Sequence, residues 1–116
     1  MRWSITKQLI CPACGVVIAD ATYQRWPGNL TLLSPEGYRI QPESVGVQIR
    51  RAETEVERAP SAATRKYAED RVRFLKRSVA ELVFDLQCRN GHSTLRTMPQ
   101  LVRAIGKAGG RWVDLG

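Results

Sequence analysis

Cys11-Pro12-Ala13-Cys14-Gly15 and Cys88-Arg89-Asn90-Gly91-His92 decide how the rest of this sequence is read. Together they hold all three cysteines and the one histidine of a 116-residue chain. The pattern is C-x2-C, a gap of 73 residues, then C-x3-H. Three thiolates and one imidazole make a complete ligand set for one tetrahedral zinc ion. The spacing matters because each pair must come from one tight turn, curled until both ligand atoms face the same point. Gly15 and Gly91 stand where such turns bend into conformations that side chains resist, and Pro12 stiffens the first turn.

Other readings of the same residues account for less. A redox C-x-x-C pair opens a helix after a buried strand, whereas Gly15-Val16-Val17-Ile18 reads as strand. An inert thiol at Cys88 and a surface imidazole at His92 would leave the first turn unexplained. A catalytic zinc keeps one position for water. Four protein ligands leave none, and no second histidine or neighbouring glutamate stands as a base. The expectation is one closed, structural zinc on Cys11, Cys14, Cys88 and His92, in a protein that is not an enzyme.

The two stretches resemble the knuckles of zinc ribbons, in which two β-hairpins each present a pair of ligands at their tips. The resemblance covers about residues 3–21 and 82–98, with Cys11, Cys14 and Cys88 matching the ribbon thiolates. His92 stands where many ribbons have a fourth cysteine, and the 73-residue gap is far longer than in a minimal ribbon. The fold expected is α+β: a small zinc ribbon with two knuckles, extended by a long insertion over about 22–81. That insertion holds a β-hairpin and an amphipathic helix, and a short C-terminal helix and strand follow over 97–115, all in a single domain 1–116. Zinc ribbons serve in transcription, translation, replication and protein docking, so the resemblance leaves several partner classes open.

Length and composition set bounds. A chain this short gains from a metal staple because its own core is modest. Three cysteines fit a cytosolic zinc site better than an extracellular disulfide framework. No stretch reaches the length of a membrane span, and the start lacks the apolar run of a secretory signal, so a cytoplasmic protein is expected. Arginine outnumbers lysine 14 to 4, a bias that points to a GC-rich bacterial or phage genome and supplies forked donors for phosphate or carboxylate.

Along the chain, residues 3–10 and Val16–Ala19 predict a hairpin with the first turn at its tip. Asp20–Asn29 reads as a loop with Trp26-Pro27-Gly28-Asn29 as its turn. Leu30–Leu33 and Tyr38–Ile40 around Ser34-Pro35-Glu36-Gly37 predict a second hairpin. Val45, Val47 and Ile49 alternate like a strand, but Ile49, Ala52, Val56 and Ala59 favour a helix from about 48 to 59, stopped by Pro60. Ser61 caps a helix to about Ala80, with Ala68, Leu75, Leu82 and Val72, Val79 as its apolar series and Tyr67 and Phe74 widening the stripe. That stripe is expected to dock on the ribbon, ahead of a coiled-coil partner. Leu82–Gln87 is a buried strand, Thr97 and Gln100 form a capping box, and Leu101, Val102, Ile105 and Ala108 line the helix that Gly109-Gly110 ends. Trp112 and Leu115 on a last strand are expected to pack.

The net charge of +7 is uneven, and residues 88–116 carry +4 of it. Arg89, Arg96, Arg103 and Lys107 are therefore the candidate phosphate contacts of a nucleic-acid-associated protein. The alternative is a zinc-stapled protein-interaction module using the helix 61–80. No small-molecule substrate is implied.

Overall fold

The computed structural model describes residues 4–25, 28–78 and 81–115. Among them lie seven strands in two sheets and three helices, a mixed α+β fold. In chain order these are β1 (Ser4–Ile10), β2 (Val17–Gln24), β3 (Asn29–Leu33), β4 (Glu43–Ser44), α1 (Val45–Arg58), α2 (Ala62–Arg77), β5 (Leu82–Gln87), β6 (Ser93–Thr97), α3 (Met98–Lys107) and β7 (Trp112–Asp114). The chain divides into two compact units, Met1–Gln41 with Phe84–Gly116 and, separately, Pro42–Val83.

In the first unit a four-stranded sheet runs in the order β3-β2-β1-β7, with β7 parallel to β1 and the other pairs antiparallel. The expected hairpin exists as β1–β2, but β2 continues to Gln24 where a loop from Asp20 was expected. Its polar residues suit a half-buried strand: Thr6 lies opposite Thr22, their hydroxyls 3.1 Å apart, while Ile18, Ala19 and Ala21 are buried. Trp26 and Pro27 of the expected turn, like Trp3, lie outside the described residues. The second expected hairpin shrinks to β3 and one bridge, Leu33 to Arg39, across a turn in which Gly37 has φ +93°. Pro42 follows closely, and a residue without an N–H cannot extend a ladder.

The β5–β6 hairpin carries the second cysteine turn, and β6 runs straight into α3. Thr97 accepts the Gln100 N–H while the Gln100 side chain accepts the Thr97 N–H, so the capping box forms with Pro99 in the first turn. At the other end, Lys7 Nζ donates to the carbonyls of Ile105 (3.2 Å) and Ala108 (2.6 Å). A cation there meets carbonyls that have no helical partner. Leu101 and Ile105 enter a core shared with Leu9, Ile18, Leu32, Phe84, Leu86 and Val113. Leu115 packs as expected, but Trp112 is 56 % exposed. On a strand that turns Val113 inward, its neighbour must face the other way.

The second unit is a pair of helices with a short strand pairing at its ends. α1 begins at Val45, three residues earlier than expected, and buries Val45, Gln48 and Ala52 at helical spacing. Gln48 donates to Glu43, which also pairs with Arg51 at 3.2 Å. Ser61 caps α2 by accepting the Thr64 N–H. The helix stops at Arg77 rather than near Ala80, and Val79 and Ala80 lie outside the described residues. Leu82, placed by its seven-residue spacing in the helix stripe, sits in β5 and is half exposed. The stripe expected to dock on the ribbon packs on α1, with Ala68 and Leu75 buried and Lys76 reaching Glu53 at 3.9 Å. β4 pairs with the start of β5, Glu43 opposite Val83.

Candidate metal centre

Each cysteine turn is built by backbone hydrogen bonds that curl it. In the first, the Cys11 N–H donates to the Val16 carbonyl and the Gly15 N–H to the Cys11 carbonyl, both at 2.8 Å. In the second, the Cys88 N–H donates to the His92 carbonyl at 2.9 Å and the Gly91 N–H to the Cys88 carbonyl at 3.0 Å. Gly15 and Gly91 have φ of +76° and +85°. Space for a Cβ exists at both, so the requirement for glycine is conformational rather than steric crowding.

The two turns meet. Ligand atoms of Cys11, Cys14, Cys88 and His92 all lie within 4.8 Å of one another. Cys14 Sγ stands 3.7 Å from Cys88 Sγ, and Cys88 Sγ stands 3.3 Å from His92 Nδ1. A disulfide would bring the sulfurs to about 2.05 Å. Two sulfurs each about 2.3 Å from a tetrahedral zinc stand about 3.8 Å apart, close to the separation found. The donor set therefore fits a metal ion. Each turn contributes one buried ligand, Cys11 or Cys88, and one exposed ligand, Cys14 or His92.

Electrostatics favour the thiolate, the ligating form, at Cys14 and Cys88, and work against the ligating forms of Cys11 and His92 while no cation is among them. The backbone N–H of Val16, and then the Asn90 side chain, lower Cys14 to about 6. At Cys88 burial works to raise the thiol, but the backbone N–H groups of His92 and Asn90 reverse the direction. Burial keeps Cys11 above its ordinary value. Hydrogen bonds to Cys14 and Cys88 raise His92. Negative sulfur thus gathers around a proton on the ring, and a divalent cation placed among the sulfurs would displace that proton.

Asn90 is the residue that sequence reasoning passed over. Its Nδ2 donates to Cys14 Sγ at 3.4 Å, so a residue of the second turn supports a sulfur of the first. Such donors to a thiolate orient it and moderate its charge. The signal available was its place inside the C-x3-H turn, next to the glycine that bends the backbone.

The four candidate phosphate contacts do not share one setting. Arg89 is exposed within the second turn. Arg96 is half-buried; its guanidinium donates to the carbonyls of Leu95 and Leu115, and burial lowers its pKa from the ordinary arginine value. Arg103 and Lys107 are exposed one turn apart on α3. Arg96, Arg103 and Lys107 line one open groove of about 480 Å³ with Gln100, Trp112 and Asp114, and Arg89 is not part of it.

Comparison with protein-family models, with curated proteins and with solved structures finds no match to this chain. Among the described residues no helix is long and apolar enough to cross a membrane.

Proposed function

We propose that the chain is a structural-zinc module that associates with nucleic acid through the basic face of α3 and the strands beside it. The single observation that carries the metal reading is the convergence of Cys11, Cys14, Cys88 and His92 from two hairpin turns. Thiolate and imidazole donors in tetrahedral array select zinc over harder ions. Four protein ligands close the shell, so the ion staples the fold and does no hydrolysis. Elemental analysis of the purified chain tests this: one zinc per chain is expected, with unfolding of at least the two zinc-bearing hairpins in chelator. Well under one metal per chain together with full stability in chelator would overturn it.

The nucleic-acid part draws support from cations that have no acidic partner among the described residues. Arg103 and Lys107 form no ion pair among the described residues. Protein docking through α2 is the alternative reading, but the apolar stripe it would use packs on α1. Electrophoretic shift of generic DNA and RNA at rising salt separates the two. Binding that weakens steeply with salt supports the first reading, and absence of binding at low salt favours the second.

A further inference from the structure

We infer that the groove between α3 and β7 holds single-stranded nucleic acid, with Trp112 as the surface on which a base stacks. The inference rests on the nucleic-acid reading above and narrows it to one form of the polymer.

Trp112 is the starting point. It is the only tryptophan among the described residues, and strand alternation places it outward on β7, 56 % exposed. Leaving an indole in water forgoes the burial that makes such rings useful in cores. The Arg111 guanidinium lies 5.9 Å from the ring centroid, near enough for cation–π attraction, and adds a positive charge beside the ring. Behind the ring, β7 is fixed by pairing Gln8–Ile10 of β1 with Trp112–Asp114 and by the buried Val113. The ring therefore stands on a rigid element.

The charges fit the same ligand. Arg96, Arg103 and Lys107 face one carboxylate, Asp114, along the groove. Arg96 is held by two backbone carbonyls, so its position is set, while Arg103 and Lys107 have no ion-pair partner among the described residues. A positive track beside an aromatic ring is how proteins hold single strands: cations follow the backbone and rings stack bases whatever their identity. A duplex keeps its bases stacked on each other and offers the ring nothing to stack on. Gln100, on the groove wall, has its side-chain oxygen engaged by the Thr97 N–H and offers its amide N–H groups as neutral donors to base edges or sugar.

The test compares the zinc-loaded 116-residue chain on fluorescein-labelled oligothymidylate, on oligouridylate and on a hairpin-free duplex, by fluorescence anisotropy. Single strands are expected to bind more tightly than duplex. Trp112→Ala should weaken single-strand binding about tenfold or more while changing duplex binding less than about twofold, and Trp112→Phe should restore most of the loss. Arg103→Glu with Lys107→Glu should weaken all three ligands and flatten the salt dependence. Trp112 is exposed, so its replacement leaves the core intact, and circular dichroism of each variant checks this. Duplex and single strand bound equally, with Trp112→Ala like the parent, would overturn the inference while leaving the broader nucleic-acid reading in place. No binding of any of the three would overturn both.

Discussion

The unit of Met1–Gln41 with Phe84–Gly116 is drawn from distant parts of the chain, while Pro42–Val83 is one continuous stretch. The first gathers the main apolar cluster and the four candidate metal ligands. The second has two helices that bury few side chains, chiefly Val45, Gln48, Ala52, Ala68 and Leu75. Contacts between near neighbours in sequence need little beyond capping and an amphipathic stripe to form. Contacts across long gaps must offset the entropy of closing large loops, and a metal with ligands at both ends of the gap supplies that in one step.

Removing the proposed zinc should separate the two regions most sharply. A structural zinc contributes on the order of 10 kcal/mol, comparable to a whole domain's stability. Chelation, or Cys88→Ser, is expected to abolish amide protection in β1–β2 and β5–β6 while α1 and α2 keep theirs. Hydrogen exchange read by mass spectrometry checks it; simultaneous loss in both regions would show that they fold as one.

A core truncation in each region comes next. Leu101 and Leu75 are both essentially inaccessible. Leu101→Ala, in the well-enclosed cluster, should cost about 3–5 kcal/mol. Leu75→Ala should cost closer to 2 kcal/mol, because α1 and α2 flank an open groove lined by Val56 and Val72 into which the helices can settle. Urea unfolding of the two variants gives the difference, and equal costs would mean that the helix pair is as tightly packed as the sheet.

Helix caps give a smaller contrast. Thr97→Ala breaks a reciprocal capping box at a buried residue and should cost about 1–2 kcal/mol, whereas Ser61→Ala removes one exposed cap and should cost about 0.5–1 kcal/mol. Thermal midpoints measured side by side would rank them.

The slightest perturbation is a proton. In the interval after chelation and before the two turns melt, Cys14, held near 6, should react with iodoacetamide ahead of Cys11 and Cys88, its rate rising through pH 6 to a plateau. Because its folded pKa lies below the ordinary 9.0, its contribution to metal-free stability is full above about pH 9 and fades as pH falls to 6. His92 has the opposite sign, since its raised pKa stabilises the metal-free fold below about 6.5 and the contribution is lost as pH climbs through the folded value. Peptide mapping of the alkylated chain reads the order, and Cys11 reacting first would contradict the turn geometry.

The convergence of Cys11, Cys14, Cys88 and His92 was legible because cysteine and histidine are so scarce here that the chain offers one way to combine them. The cap at Ser61 and the capping box at Thr97 were legible because a cap is decided by three or four adjacent residues. The extent of β2 was not, since Asp20-Ala21-Thr22 has weak strand preference and is held by β1 and β3 on either side. Leu82 misled through a seven-residue interval that continued the pattern past the end of the helix. Trp112 misled because hydrophobicity says that a ring is worth burying, while the face it takes is set by the pleat of its strand.

The pairing of Glu43 with Val83 bears on how quickly the chain can find its metal-ready form. Bringing Cys14 beside Cys88 means closing a loop of 73 intervening residues. Once α1 and α2 are folded and that pairing is made, the stretch from Pro42 to Val83 begins and ends at nearly the same place. The search is then over about 30 flexible residues, a saving of under about 1 kcal/mol in loop-closure entropy. That is a severalfold gain in the chance of encounter, so the helical stretch acts as a hinge pin for assembly, and its length matters less to folding rate than the closeness of its two ends.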